Sequence, residues 1–163
     1  MRRFIGILLV SMVLFSCSEK QDNIVISQEF INQEWSRFEY LEGQYKLSKA
    51  PSIFDIIMEV TVTDEYPSRY ETHQQEAPLS FNLTIKNPNS SGSRSKDFNF
   101  KLKDKEGIWR AEKKEGAYTF RLPIMSEVTL NENGIYNSKI ENKYPKDPLC
   151  GIKSMTLMCI DSK

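Results

Sequence analysis

Period-two alternation dominates this chain from residue 53 onward. Phe54, Ile56, Met58, Val60 and Val62 alternate with Asp55, Glu59, Thr61 and Thr63, interrupted only by Ile57. This is the pattern of a strand with one face in a core and the other in water. Leu79, Phe81, Leu83 and Ile85 repeat it against Ser80, Asn82, Thr84 and Lys86. Phe98, Phe100 and Leu102 do so against Asn99, Lys101 and Lys103, and Tyr118, Phe120 and Leu122 do so once more. The last run, Ile152 to Ile160, is apolar on both parities, which predicts a central strand covered on both faces. Between the runs, Asn87–Lys96 has no apolar side chain besides Pro88 and predicts an exposed, mobile loop. Tyr66–Pro78, with His73 inside it, is a second polar connection, and Asp104–Gly107 and Asn131–Gly134 read as turns with glycine available for positive φ. Ile24–Leu47 mixes two signals: Ile24 and Ile26 suit a strand, whereas Ile31, Trp35 and Phe38 sit at helical spacing. It reads as a strand followed by a loop or one short helix. Several alternating strands joined by turns predict an all-β, jelly-roll-like antiparallel β-sandwich.

The first apolar run differs in kind. Arg2 and Arg3 precede Phe4–Phe15, which is broken only by Gly6 and Ser11 and closes in Leu14-Phe15-Ser16-Cys17. A charged start, a short apolar run and a small-residue close mark a secretory signal peptide. Its apolar run reaches roughly 18 Å as a helix, short of the ~30 Å of a hydrocarbon core. The close resembles the lipobox of bacterial lipoproteins, which implies that Cys17 is acylated (palmitate) and becomes the mature N-terminus. The chain then divides into a signal peptide (1–16), a lipidated cysteine and spacer (17–29) and one sandwich domain (30–163). Ser18–Asn23 reads either as a disordered leader or as a sorting signal, with Glu19 and Asp22 as its acids. Ser18, where an inner-membrane retention signal has aspartate, points to the outer membrane, facing the periplasm or the cell surface.

Charge narrows the partners. The chain has 22 basic and 22 acidic residues, and loss of Arg2 and Arg3 with the signal leaves 20 against 22. No basic excess remains for a nucleic acid. Of the cysteines left after Cys17, Cys150 and Cys159 would stand nearly 30 Å apart on one extended strand, so two buried thiols are expected rather than a disulfide. With the lone His73 they form no zinc spacing. His73 has no nucleophile elbow or triad signature near it. Asp55, Asp97, Asp104 and Glu106 lack calcium-loop spacing, and no phosphate-cradling glycine loop is present. No cofactor and no enzymatic activity are expected. The aromatic candidates for anchoring a partner or stacking on a glycan are Tyr66, Tyr70, Trp109 and Tyr144, the tyrosines being expected at the surface because they lie beside prolines in polar segments.

Gly107-Ile-Trp109, Gly134-Ile-Tyr136 with Ile140, and Leu149-Cys-Gly151-Ile152, together with Tyr66-Pro67, resemble in order and spacing the gliding-motility lipoprotein H (GldH) family of the Bacteroidota. Trp35 matches a family tryptophan less securely. Two departures stand out: Arg110-Ala111-Glu112 follow Trp109 where the family tends to have glycines, and Lys143-Tyr144-Pro145 replace a methionine-arginine pair. The resemblance implies a lipid-anchored β-sandwich that binds envelope proteins of gliding-motility or secretion machinery. The residues alone leave a glycan-binding lipoprotein as the alternative.

Overall fold

The computed structural model describes residues 23–68 and 76–162. Eleven strands follow one another: β1 (Asn23–Glu29), β2 (Glu34–Trp35), β3 (Leu41–Leu47), β4 (Ser52–Val62), β5 (Pro78–Lys86), β6 (Ser93–Lys101), β7 (Lys113–Lys114), β8 (Ala117–Leu130), β9 (Gly134–Asn142), β10 (Leu149–Cys150) and β11 (Ile152–Asp161). One sheet has the order β1-β11-β4-β8-β7 and the other β3-β9-β5-β6, with β2 and β10 forming a small third pair. Every pairing is antiparallel. If only the eight long strands are counted in chain order, 1-8-3-6 faces 2-7-4-5, which is the jelly-roll arrangement of a β-sandwich.

The alternating residues place themselves as their period requires. Phe54, Ile56, Met58, Val60 and Val62 of β4 are all buried, and so are Leu79, Phe81, Leu83 and Ile85 of β5. Met155, Leu157 and Cys159 of β11 join them between the sheets. Phe98 and Phe100 of the edge strand β6 stack on Phe81 at centroid distances of 5.4 and 6.3 Å. Gly43 of β3 lies against the carbonyl of Val25 in β1, bringing the two sheets together along one side. Cys150 and Cys159 are free, buried thiols, as their spacing predicts.

Four sequence expectations need correction. The segment expected to be spacer up to residue 29 contains β1, which pairs along β11, so the folded body begins at Asn23. No helix forms in Ile24–Leu47; Trp35 instead pairs with Leu149 in the β2–β10 ladder, so its helical spacing from Ile31 and Phe38 is coincidental. The expected loop Asn87–Lys96 is shorter, because Ser93–Lys96 pair with Leu83–Lys86 and only a 3-10 turn at Pro88–Ser90 and its neighbours connect the strands. Finally, β11 is central between β1 and β4, but only one of its faces is in the core. Met158 lies on the other and is buried at 6% exposure but outside the core cluster; Thr156 and Ile160 beside it on that face are half-buried, and no second layer packs there among the described residues.

Candidate functional site

Strand register separates the molecule into two ends. Asn23 pairs with Cys159, Ser52 with Leu130, Leu47 with Gly134 and Lys86 with Ser93. The chain therefore enters the fold at the end formed by the 47–52, 86–93 and 130–134 connections. The opposite, distal end carries the 29–41, 62–78, 101–117 and 142–152 connections. Most of the residues singled out in the sequence lie there.

At the centre of the distal end is a buried corner. Trp35 is fully buried, donates Nε1–H to the Glu39 carbonyl at 2.8 Å and packs its ring 5.9 Å from that of Phe30. Asn142 is buried; its Nδ2 donates to the Trp35 carbonyl at 2.9 Å, and its Oδ1 accepts the Tyr144 N–H at 2.8 Å. The Arg37 guanidinium donates to the Tyr144 and Pro145 carbonyls at 2.7 and 2.5 Å. Its own backbone N–H donates to the Asp147 carboxylate at 2.7 Å. The 30–40 segment is thus braced against 142–149 by bonds that span more than a hundred residues of sequence.

This bracing changes the roles of the predicted residues. Tyr66 and Tyr144 are buried at 3% and 2% exposure, so neither offers a face to a partner or a glycan. Tyr66 donates its hydroxyl to the Pro78 carbonyl at 2.8 Å, and burial pushes its phenol well above the ordinary tyrosine range. Gly151 stands against Tyr66 so closely that a Cβ would lie 2.4 Å from its backbone nitrogen, and Cys150 N–H donates to the Pro67 carbonyl at 3.1 Å. Tyr136 closes the 131–134 turn by donating its hydroxyl to the Glu132 carbonyl at 3.0 Å. Most of the residues that carry the family resemblance are therefore framework. Cys17, Tyr70 and His73 lie outside the described residues.

Trp109 has an intermediate place. It is half-buried on a hairpin that extends β6, stacks on Tyr118 of β8 at 4.4 Å and is overlain by the Lys103 ammonium at 4.4 Å. Tyr118 in turn donates to Asp64 at 2.9 Å, and Asp64 pairs with Lys113. Hydrogen bonds from Lys113 and then Tyr118 hold the Asp64 carboxyl below its usual range. The cluster clasps the two sheets together on the side away from Gly43, so the Trp109 ring is already engaged.

What the distal end leaves open was not singled out as a site in the sequence. Ile31 is 97% exposed, Phe38 78% and Tyr40 52%, all on the braced segment that crosses from β1 to β3. Beside Ile31 is a hollow of about 360 Å³, lined also by Phe30, Gln33, Thr61 and Lys153. Phe38 and Tyr40 are the exposed aromatics among the described residues, and they do not belong to a longer row. Asp55, Asp97 and Asp104 bond to separate partners, respectively the Glu127 N–H, Asn82 and the Ile108 N–H. Among the described residues no group of three His, Cys, Asp or Glu side chains could hold a metal ion. No protein-family model matches the chain, and no curated protein matches it.

Proposed function

We propose that this protein is a lipid-anchored, non-enzymatic lipoprotein of the bacterial outer membrane that binds other envelope proteins through its distal end. The observation that carries the reading is the opposition of the two ends: the chain enters next to the residue expected to carry lipid, while Ile31, Phe38 and Tyr40 are held exposed at the other end. An ordered segment that spends hydrogen bonds on presenting large apolar side chains to water suits a partner-binding surface. The resemblance to the gliding-motility lipoprotein H family makes motility or secretion machinery the candidate source of partners.

The anchor is tested by fractionating cells that express the parent or Cys17→Ala and by feeding labelled fatty acid. The parent should take up label and stay with the outer membrane, and the variant should do neither. Equal membrane retention with no label in the parent refutes the anchor. For the binding surface, a photo-crosslinker at position 38 in the native host should capture envelope proteins, while one at exposed Asn99 should not.

A second reading rests on the outer face of β3-β9-β5-β6. There a hollow of about 570 Å³ is lined by Glu42, Gln44, Thr84, Asn137 and Lys139, and the Lys139 ammonium lies 4.8 Å from the Tyr40 ring. Hydroxyls and amides beside one exposed aromatic could hold a sugar. Glycan retention lost in Tyr40→Ala but kept in Phe38→Ala would favour it over the protein partner.

A further inference from the structure

The outer face of the five-stranded sheet is divided between an apolar and a polar half. Ile24, Met158, Ile57 and Pro123 lie in one registered row across β1, β11, β4 and β8. Ile53 and Ile160 lie on the same face toward the N-terminal end. The next rows toward the distal end are Ser27, Thr156, Glu59 and Arg121, then Glu29, Ser154, Thr61 and Thr119. Ile24 is 60% and Ile53 48% exposed, Pro123 is exposed, Ile57 and Ile160 are half-buried and Met158 is buried between them at 6%; no layer of the described residues covers this half of the face. The one acid within the apolar half, Asp55, is tied down, accepting the Glu127 N–H and the Ser162 hydroxyl at 2.9 Å each. The other sheet carries one exposed apolar side chain at the same end, Ile135 at 46%, beside Lys46; Gln44, Asn137 and Lys86, then Glu42, Lys139, Thr84 and Ser95, keep the rest of its outer face polar.

We infer that this apolar half-face rests on the bilayer that holds the lipid anchor. The inference depends on the proposed acylation of Cys17. Six residue steps separate Cys17 from Asn23, a reach of at most about 20 Å, and Ile24 is the next residue. An acyl anchor on so short a lead keeps this corner of the sheet at the membrane, where apolar side chains gain by entering the interfacial zone. The polar half of the same face stops the contact part-way, so the domain sits tilted with Ile31, Phe38 and Tyr40 directed away from the lipid. Glu127 and Asp161 are exposed at the patch border, so the contact is hydrophobic rather than electrostatic and is insensitive to salt.

The test uses the full acylated chain on vesicles of phosphatidylcholine and phosphatidylethanolamine. Nitroxide labels are attached through Ile53→Cys or Pro123→Cys in the patch, and through Thr119→Cys or Phe38→Cys as distal controls. The patch labels should show collisions with an aqueous nickel complex reduced several-fold relative to the controls, and collisions with oxygen increased, at low and high salt alike. Equal aqueous access at all four positions in an acylated, vesicle-bound chain overturns this inference and leaves the anchor standing. A chain that carries no acyl group overturns both. Shielding in cells but not on pure lipid also overturns it, and assigns the patch to a protein.

Discussion

At position 43 the fold has room for glycine alone. A Cβ there would lie 2.0 Å from the Val25 carbonyl oxygen, and backbone rather than a flexible side chain is what it would strike. Gly43→Ala must therefore push β1 and β3 apart, and should cost about 2–3 kcal/mol, the upper range for overpacking, read as a lower urea midpoint. Cys159 illustrates a second single-residue effect. Burial pushes its thiol up to about 12, so almost no thiolate is present at neutral pH. A maleimide should leave it unmodified in the native protein and modify it rapidly in denaturant; fast native labelling would refute the buried thiol. The sequence foretold the two free cysteines from their spacing but misplaced Tyr66 and Tyr144. Polar neighbours and adjacent prolines suggested surface, whereas the Gly151 backbone lies against Tyr66 and the Arg37 guanidinium holds the Tyr144 carbonyl, both from positions distant in sequence. Local composition carries no trace of that closure.

At the scale of elements, legibility followed strand length, except in the nine-residue β9, where polar Ser138 and Asn142 occupy the buried face and break the alternation. β4, β5 and β8 run for 11, 9 and 14 residues, long enough for alternation to declare itself, and their buried faces are the ones the pattern predicts. β2, β7 and β10 have two residues each, too few for any period. β1 reads as a strand from Ile24 and Ile26, but its extent was not legible: a bulge between Ile24 and Ile26 buries Val25 and Ile26 in succession, which destroys the alternation. The exposed apolar side chains of the 30–40 segment were equally hidden, because Trp35 and Phe38 look alike in a sequence and differ completely in burial. That difference makes a testable contrast. Trp35→Ala should cost roughly 3–5 kcal/mol by emptying the corner. Ile31→Ser with Phe38→Ser should shift stability by no more than about 0.5 kcal/mol, as expected for surface changes, while abolishing partner capture. Loss of folding in the double variant would show that these side chains serve the core.

For the molecule as a whole, the buried titratable groups set an asymmetric response to pH. On the acid side the lowered carboxyls are Asp64, bonded by Lys113 and Tyr118, and Glu141, bonded by Lys139 and Lys143. Their stabilisation is present above the ordinary carboxylate range and lost as pH falls through the lowered values, but all of these groups are near the surface and solvent screens them. On the alkaline side Cys159 and Tyr66 are raised chiefly by burial, as are Tyr45 and Tyr118 to a lesser degree. Each keeps its proton in the fold after the unfolded chain has lost it, so stability is full below the unfolded value and falls as pH rises past it. For the thiol this window runs from its unfolded value of 9.0 to about 12, and the tyrosines join above 10. Each fully buried group steepens the fall by up to about 1.4 kcal/mol per pH unit. Urea midpoints should therefore be level through the neutral range, decline gently toward pH 4 and drop steeply above pH 9–10. Cys159→Ala should delay the onset of the alkaline limb and Tyr66→Phe should flatten its upper part, even though each lowers stability at pH 7. Should both variants keep the parent's alkaline slope, the loss at high pH does not originate in the core of the sandwich.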